Sequence, residues 1–228
     1  MKYHLALDLE FRRNPYRGLY IALEGIDGSG KTVQVPRLRE FLQKEEKEVI
    51  TTREPRKEGL IADIINRLLQ GSINLPKEAF QHLFTVDRFL HHQELVVPAL
   101  KVGKVVITDR CFWSAIPYGM WEMGERFDYD KKKMLPIAQK LLAMQCQFIV
   151  PDITFYLDIT PEVAISRVLK KSDAKEIYEE EHILEKVFEG YQWLIQEFPQ
   201  EFFIIDARKS IEDVTLDMIQ MIKQHHKF

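Results

Sequence analysis

Two cysteines, Cys111 and Cys146, are all that the 228 residues contain, too few for a disulfide framework and without the spacing of a metal site. Such usage suits a reducing compartment, and a cytoplasmic location is expected. No apolar run approaches the ~20 residues of a membrane-spanning helix, so no membrane partner is expected. The first ten residues place acids within a short apolar stretch and lack a small-residue cleavage site, which argues against a secretory signal. An excess of charge of one sign is also missing: 32 Lys and Arg stand against 35 Asp and Glu, for a net charge of −3. Without a basic face, a nucleic-acid partner is not expected. There is no internal repeat and no low-complexity linker. What remains is an ordinary globular composition, 46% hydrophobic, at a length compatible with one α/β domain.

Five short apolar, β-rich runs predict strands at Leu19–Leu23, Val49–Thr52, Val105–Thr108, Ile153–Leu157 and Phe202–Ile205. Between them, apolar residues recur at steps of three and four, predicting helices over Lys31–Gln43, Leu60–Leu69, Glu78–Leu100, Asp130–Met144, Pro161–Lys170, Glu179–Phe198 and Ile211–His225. Thr160 before Pro161 reads as a helix N-cap followed by proline at the first helical position. Strands alternating with helices predict a parallel sheet covered on both faces, because each parallel crossover needs a helix. The near-continuous apolar strands fit burial on both sides. Residues 1–17 stand apart as an N-terminal extension of uncertain order, and 18–228 read as one domain.

The strongest chemical signal is Gly25-Ile26-Asp27-Gly28-Ser29-Gly30-Lys31-Thr32, which fits G-x-x-x-x-G-K-[ST]. Chance supplies such a match in this length at roughly one per cent. Here it also follows a predicted strand and opens a predicted helix, as phosphate binding requires. Glycines let backbone N–H groups wrap a phosphate, and the helix N-terminus adds partial positive charge. Lys31 would reach the β- and γ-phosphates of a nucleotide, and the Thr32 hydroxyl would ligate Mg²⁺. The nucleotide-binding set expected from this stretch is Gly25, Gly28, Ser29, Gly30, Lys31, Thr32 and Gln34. Asp109 ends the third strand at the sheet edge where ligands bind in such folds, and is the second expected metal ligand. An N-K-x-D segment for guanine and an acid followed two residues later by glycine are both missing, which disfavours a regulatory GTPase.

Phosphoryl transfer rests on positioning and charge neutralisation, and arginine is the side chain that grips phosphate oxygens in a bidentate fork. Arg53 follows the second strand, Arg110 follows the third, and Arg88 lies on a helix. Any one of them alone reads as a surface ion pair. Two at strand C-termini beside a phosphate loop point to a second, phosphate-bearing substrate.

These marks together resemble the thymidylate kinase family: Glu24 to Thr32, Thr52-Arg53-Glu54-Pro55, Asp87-Arg88, Asp109-Arg110 with Ser114 and Tyr118, Leu157-Asp158 before Pro161-Glu162, and Ile205-Asp206-Ala207. The resemblance runs from about Gly18 to the last helix. It implies a five-stranded α/β sandwich in the order 2-3-1-4-5 with a lid, transfer from ATP with Mg²⁺ to dTMP, and a homodimer packed through helices. By position it implies that Asp27 meets the sugar 3′-hydroxyl and that Arg53 and Arg110 grip the acceptor phosphate, with Ser114 in the same substrate site. Phe84 would stack on the base, Arg88 would bond a base carbonyl, and Tyr118 would crowd the 2′ position. Ala207 would touch adenine. The lid falls at about 167–178, where Arg167 is the expected catalytic arginine, with Lys170, Lys171 and Lys175 as further cations. The catalytic set is then Lys31, Asp27, Arg110 and Arg167.

Two readings stay open beside these. Phe84, with Phe80, Leu83 and Val86, also fits a plain helix core, and the lid lysines also fit a solvated face. The chain departs from the family pattern around the base pocket, at Arg56 to Gly59, Cys111, Ala115 and Gly119. Ala115 offers no side-chain hydrogen bond where Asn, Ser or Gly is common. The alternatives are therefore a kinase of another nucleoside monophosphate or deoxynucleoside, and a nucleotide-binding regulatory module without transfer activity.

Overall fold

The structure is a computed structural model and describes residues 8–124, 131–169 and 180–226. The five strands are β1 (Tyr20–Glu24), β2 (Val49–Arg53), β3 (Val105–Asp109), β4 (Ile153–Asp158) and β5 (Phe203–Asp206). They pair in parallel in the order β2-β3-β1-β4-β5, with Ile21 opposite Ile107 on one side and Ile153 on the other. The three central strands are buried along nearly their whole length, whereas β2 and β5 at the edges are half-buried. Side chains alternate between two cores. Ile21, Leu23, Val105 and Ile107 join the larger, and Tyr20 and Val106 meet Val96, Ala99, Leu100 and Ile149 in the smaller. This is the expected sandwich, and the strand order agrees with the expectation.

The helices are α1 (Lys31–Lys44), α2 (Leu60–Leu69), α3 (Lys77–His91), α4 (Val97–Lys101), α5 (Ala115–Gly124), α6 (Lys131–Gln145), α7 (Pro161–Val168), α8 (Glu181–Glu197) and α9 (Ile211–His225). The single helix expected over 78–100 is instead α3 and α4 joined by a π-helical turn, His92–Val96. Pro98 has no N–H to give to the carbonyl four residues earlier, and the ladder widens just before it. Thr160 occupies the N-cap of α7 through its backbone, but its side chain makes no capping bond. Ser210 does cap α9, accepting from the Asp213 N–H at 3.1 Å.

Helix α5 was not expected at all. All ten of its residues are buried, so it carries no polar stripe to reveal a helical period. It packs against α3, α6 and α8. At Gly119 an added Cβ would come within 2.8 Å of the Leu141 methyls on α6 and 3.0 Å of Gln81 Cγ on α3, so glycine is what lets the three helices approach.

Residues 8–17 lie against the fold. Phe11 stacks on Phe112 and packs against Trp113 and the edge of Phe198, at centroid distances of 5.4–6.1 Å. The Val150 N–H donates to the Arg12 carbonyl at 2.9 Å, and the two terminal Arg13 nitrogens, Nη1 and Nη2, reach Glu201. Asn14 bonds Asp152, which also accepts from the Tyr20 N–H at the start of β1.

Candidate active site

The loop between β1 and α1 turns through three glycines with positive φ, Gly25, Gly28 and Gly30. Glycine is required at 28 for space as well: an added Cβ would lie 2.5 Å from the carbonyl oxygen of Ala164 on α7. The buried Lys31 ammonium donates to the loop's own Gly25 and Ile26 carbonyls at 2.9 and 3.0 Å and to Ser29 Oγ at 3.3 Å. Burial, helped by the nearby Arg110 cation, pulls its pKa down to about 8. A phosphate entering the loop would take over these bonds and restore a full counter-charge. The Thr32 hydroxyl donates to Asp109 Oδ2 at 2.8 Å, which brings the two expected metal ligands together.

Around this loop opens a cleft of about 1110 Å³ including its mouth. Arg167 on α7 reaches across it, donating to the Ala207 carbonyl at 2.9 Å and to the Gly28 carbonyl at 3.5 Å. Arg167, Ala207 and the phosphate loop thus line one space. Gln34 also borders the cleft, but its amide is engaged elsewhere: Nε2 donates to the Ile211 carbonyl and Oε1 accepts from Thr215, tying α1 to α9. Lys170, Lys171 and Lys175 lie outside the described residues.

A second cavity, about 650 Å³ including its mouth, adjoins the first; Asp27, Arg53 and Arg110 line both. Arg110 takes the left-handed backbone conformation, φ 73°, which is unusual for a residue with a side chain. Its guanidinium is fixed from all sides. It donates to Asp27 Oδ1 and Tyr118 Oη at 2.7 Å, to the Gly25 carbonyl at 3.0 Å, and to Ser114 Oγ and Tyr191 Oη at 3.2 Å. Burial raises the Asp27 pKa, but the Arg110 and Lys31 cations outweigh it and leave it lowered. Tyr118 completes the ring by donating to Asp27 Oδ2 at 3.1 Å. Arg53, by contrast, is exposed and has no hydrogen-bond partner among the described residues.

Phe84, Arg88, Ala115 and Tyr118 also line this second cavity. Phe84 borders it and also packs against the core, so the two readings of that residue are compatible. Arg88 is buried; its Nε donates to Glu54 Oε2 at 2.6 Å and its Nη1 to Gln145 at 2.7 Å. Glu54 also accepts from His91 Nδ1 at 3.1 Å. Burial raises the Glu54 pKa, but Arg88, with His91 and His92 beside it, pulls it down to about 2.

Sequence reasoning assigned no role to several residues in this arrangement. Glu24, fully buried, accepts from the Cys111 N–H, Ser114 Oγ and Tyr191 Oη at 2.6–2.8 Å. It stands directly under the hydroxyls that meet Arg110. Its signal was present: an acid ending a strand whose five positions are all buried. Glu54, Gln81 and Tyr191 carried no local signal, since their partners lie tens of residues away.

The sheet order, the glycine loop and two adjoining cavities that share an arginine define a P-loop phosphotransferase of the nucleotide kinase type. The family model described as thymidylate kinase matches residues 23–218. The chain therefore belongs to the thymidylate kinase family. Thymidylate kinase of Staphylococcus haemolyticus is 35% identical over 205 residues, 89% of this chain and 96% of that one. A probable thymidylate kinase of Methanosarcina acetivorans is 34% identical over 206 residues, 90% of this chain and 96% of that one. Among solved structures, thymidylate kinase from Candida albicans shares the fold with a TM-score of 0.76 at 24% identity, covering 91% of this chain and 92% of that one. Membership in the family means nucleotide-dependent phosphoryl transfer to a small-molecule substrate. Among the described residues no helix is long and apolar enough to cross a membrane.

Proposed function

We propose that this chain transfers the γ-phosphoryl group of ATP to the phosphate of dTMP, giving ADP and dTDP. The observation that carries the reading is the shared wall between the two cavities, where Asp27, Arg53 and Arg110 face both. A donor in the loop cleft and an acceptor in the second cavity would meet there. An oxygen of the dTMP phosphate then attacks the γ-phosphorus while the bond to the β-phosphate oxygen breaks.

In this reading Gly25, Gly28, Ser29, Gly30, Lys31 and Thr32 cradle the donor phosphates, with Gln34 and Ala207 bordering the nucleotide. Lys31 exchanges its loop carbonyls for phosphate oxygens. Arg110 and the unpaired Arg53 hold the acceptor phosphate, and Asp27 takes the 3′-hydroxyl. Ser114 and Tyr118 fix Arg110, and Tyr118 crowds the 2′ position. Phe84 stacks on thymine, and Arg88 offers its remaining nitrogen to a base carbonyl. Arg167 neutralises charge on the transferring group.

Thr32 and Asp109 are the groups that would hold Mg²⁺. A hydroxyl and a carboxylate are hard oxygen donors, and Mg²⁺ commonly takes only one or two protein ligands beside phosphates and water. The ion would supply charge neutralisation at the β- and γ-oxygens. A homodimer in the cytoplasm goes with the proposal: Val86 and Phe89 on α3 and Leu135 on α6 are large apolar side chains left exposed.

The test is ADP release from ATP and Mg²⁺ with dTMP, dUMP, dCMP, dGMP, UMP and AMP offered separately. Strong turnover with dTMP that Lys31→Ala reduces by ~100-fold or more supports the proposal. Turnover with a different monophosphate alone overturns the base assignment, and none with any acceptor overturns the transfer itself.

A further inference from the structure

Gln81 lies on α3 one turn before Phe84 and two before Arg88, so the three share a helix face and all border the second cavity. It is 1% exposed. Its Nε2 donates to both carboxylate oxygens of Glu122, at 3.0 and 3.1 Å, and Glu122 on α5 is itself 1% exposed. Its Oε1 has no hydrogen-bond partner. An ionised carboxylate only accepts hydrogen bonds. Glu122 therefore fixes which end of the amide is which: flipping Gln81 would set carbonyl oxygen against carboxylate oxygen. The Cγ of Gln81 lies close against Gly119, which further limits how the side chain can turn. The result is a buried carbonyl oxygen that lacks a donor and is held in one orientation, on a side chain that borders the cavity.

We propose that Gln81, oriented by Glu122, reads the pyrimidine by accepting the N3–H of its ring. Thymine and uracil carry a proton at N3, whereas cytosine presents a lone pair there. A fixed acceptor opposite that atom favours the first pair and repels the third. Ala115, which can make no side-chain hydrogen bond, borders the same cavity, so this selection falls to Gln81 and Glu122 instead. Buried polar groups left unpaired by the wrong substrate are what give such sites their discrimination. The proposal rests on the dTMP reading given above and adds the determinant of base choice.

The experiment compares kcat/KM for dTMP and dCMP in the wild type, in Gln81→Met/Glu122→Met and in Glu122→Gln. The double substitution keeps the volume and removes the amide and the carboxylate together. It is expected to lower the dTMP-to-dCMP ratio by ~10-fold or more, through the KM for dTMP, with the KM for ATP unchanged. Glu122→Gln frees the amide to turn and is expected to lower the ratio by ~3-fold or more with the fold intact. It decides the matter if the double variant does not fold. A wild type active on dTMP whose ratio survives in the folded variants overturns the role of Gln81 alone. A wild type inactive on dTMP overturns the underlying reading as well.

Discussion

Glu54→Gln keeps the shape of the side chain beneath the second cavity and removes its charge. Arg88 and Glu54 are only 5% and 4% exposed, so the substitution leaves a guanidinium buried without its counter-charge, facing neutral acceptors alone. Taking one member from a buried ion pair costs about 3–5 kcal/mol. The proton affinity of Glu54 gives a second route to the magnitude. Its pKa falls from 4.5 to about 2 on folding, a difference worth about 3 kcal/mol at neutral pH. For a domain of ordinary stability that is a quarter to half of the total, and it corresponds to a fall in Tm of ~10 °C.

Urea unfolding followed through the tryptophan fluorescence reads this loss directly. Because the folded pKa lies below the unfolded one, the contribution is fully present above about pH 4.5 and is lost as pH falls toward 2. The wild type is therefore expected to lose stability across that window more steeply than Glu54→Gln does. Glu54→Met/Arg88→Met removes both charges and is expected to recover most of the loss. A single substitution that costs under ~1 kcal/mol, or a double that is no better than the single, would refute the reasoning.

Three further outcomes follow from the geometry. Gly28→Ala sets a Cβ 2.5 Å from the Ala164 carbonyl at φ 85°, and is expected to cost ~2 kcal/mol and most of the turnover, checked by thermal unfolding and ADP release. Lys31 titrates at about 8 in the fold against 10.5 in the open chain, so the ligand-free protein is expected to gain stability as pH rises between those values. Over the same range ATP affinity falls, by calorimetry, as the ammonium loses its proton, whereas Lys31→Met shows a flat profile. Phe11→Ala removes a ring packed against Phe112, Trp113 and Phe198 and is expected to cost ~2 kcal/mol in urea unfolding, with KM for both substrates unchanged.

The sheet was legible because its central strands are buried on both faces, and short continuous apolar runs set between helical periods fit little besides a covered parallel sheet. Helix α5 was not, for a related reason. A helix buried on every side has no polar stripe, and Pro117 and Gly119 read as breakers when seen alone. The π turn before Pro98 was hidden because spacing reports a period, whereas the change in hydrogen bonding concerns the backbone. The packing of residues 8–17 was hidden too, since Arg13 meets Glu201 across 188 positions.

The candidate site divides along the same line. The phosphate loop lies in one stretch and was read whole, and Arg53 and Arg110 were marked by the strands they end. Their partners could not be read, because Arg110 meets Asp27 across 83 positions and Tyr191 across 81. The left-handed backbone of Arg110 marks the limit most clearly. Nothing in Thr108-Asp109-Arg110-Cys111 announces it, and local preference would choose glycine or asparagine there. The conformation persists because five hydrogen bonds hold the guanidinium, and two of them rest in turn on Glu24, which accepts from Ser114 and Tyr191. Strain of ~1–3 kcal/mol at one residue is thus met by a network assembled from β1, α5 and α8. Tyr191→Phe, which removes one link in that network and leaves the ring, is expected to raise the KM for dTMP several-fold and leave the KM for ATP alone. An unchanged KM for dTMP would mean that Arg110 holds its position without the network.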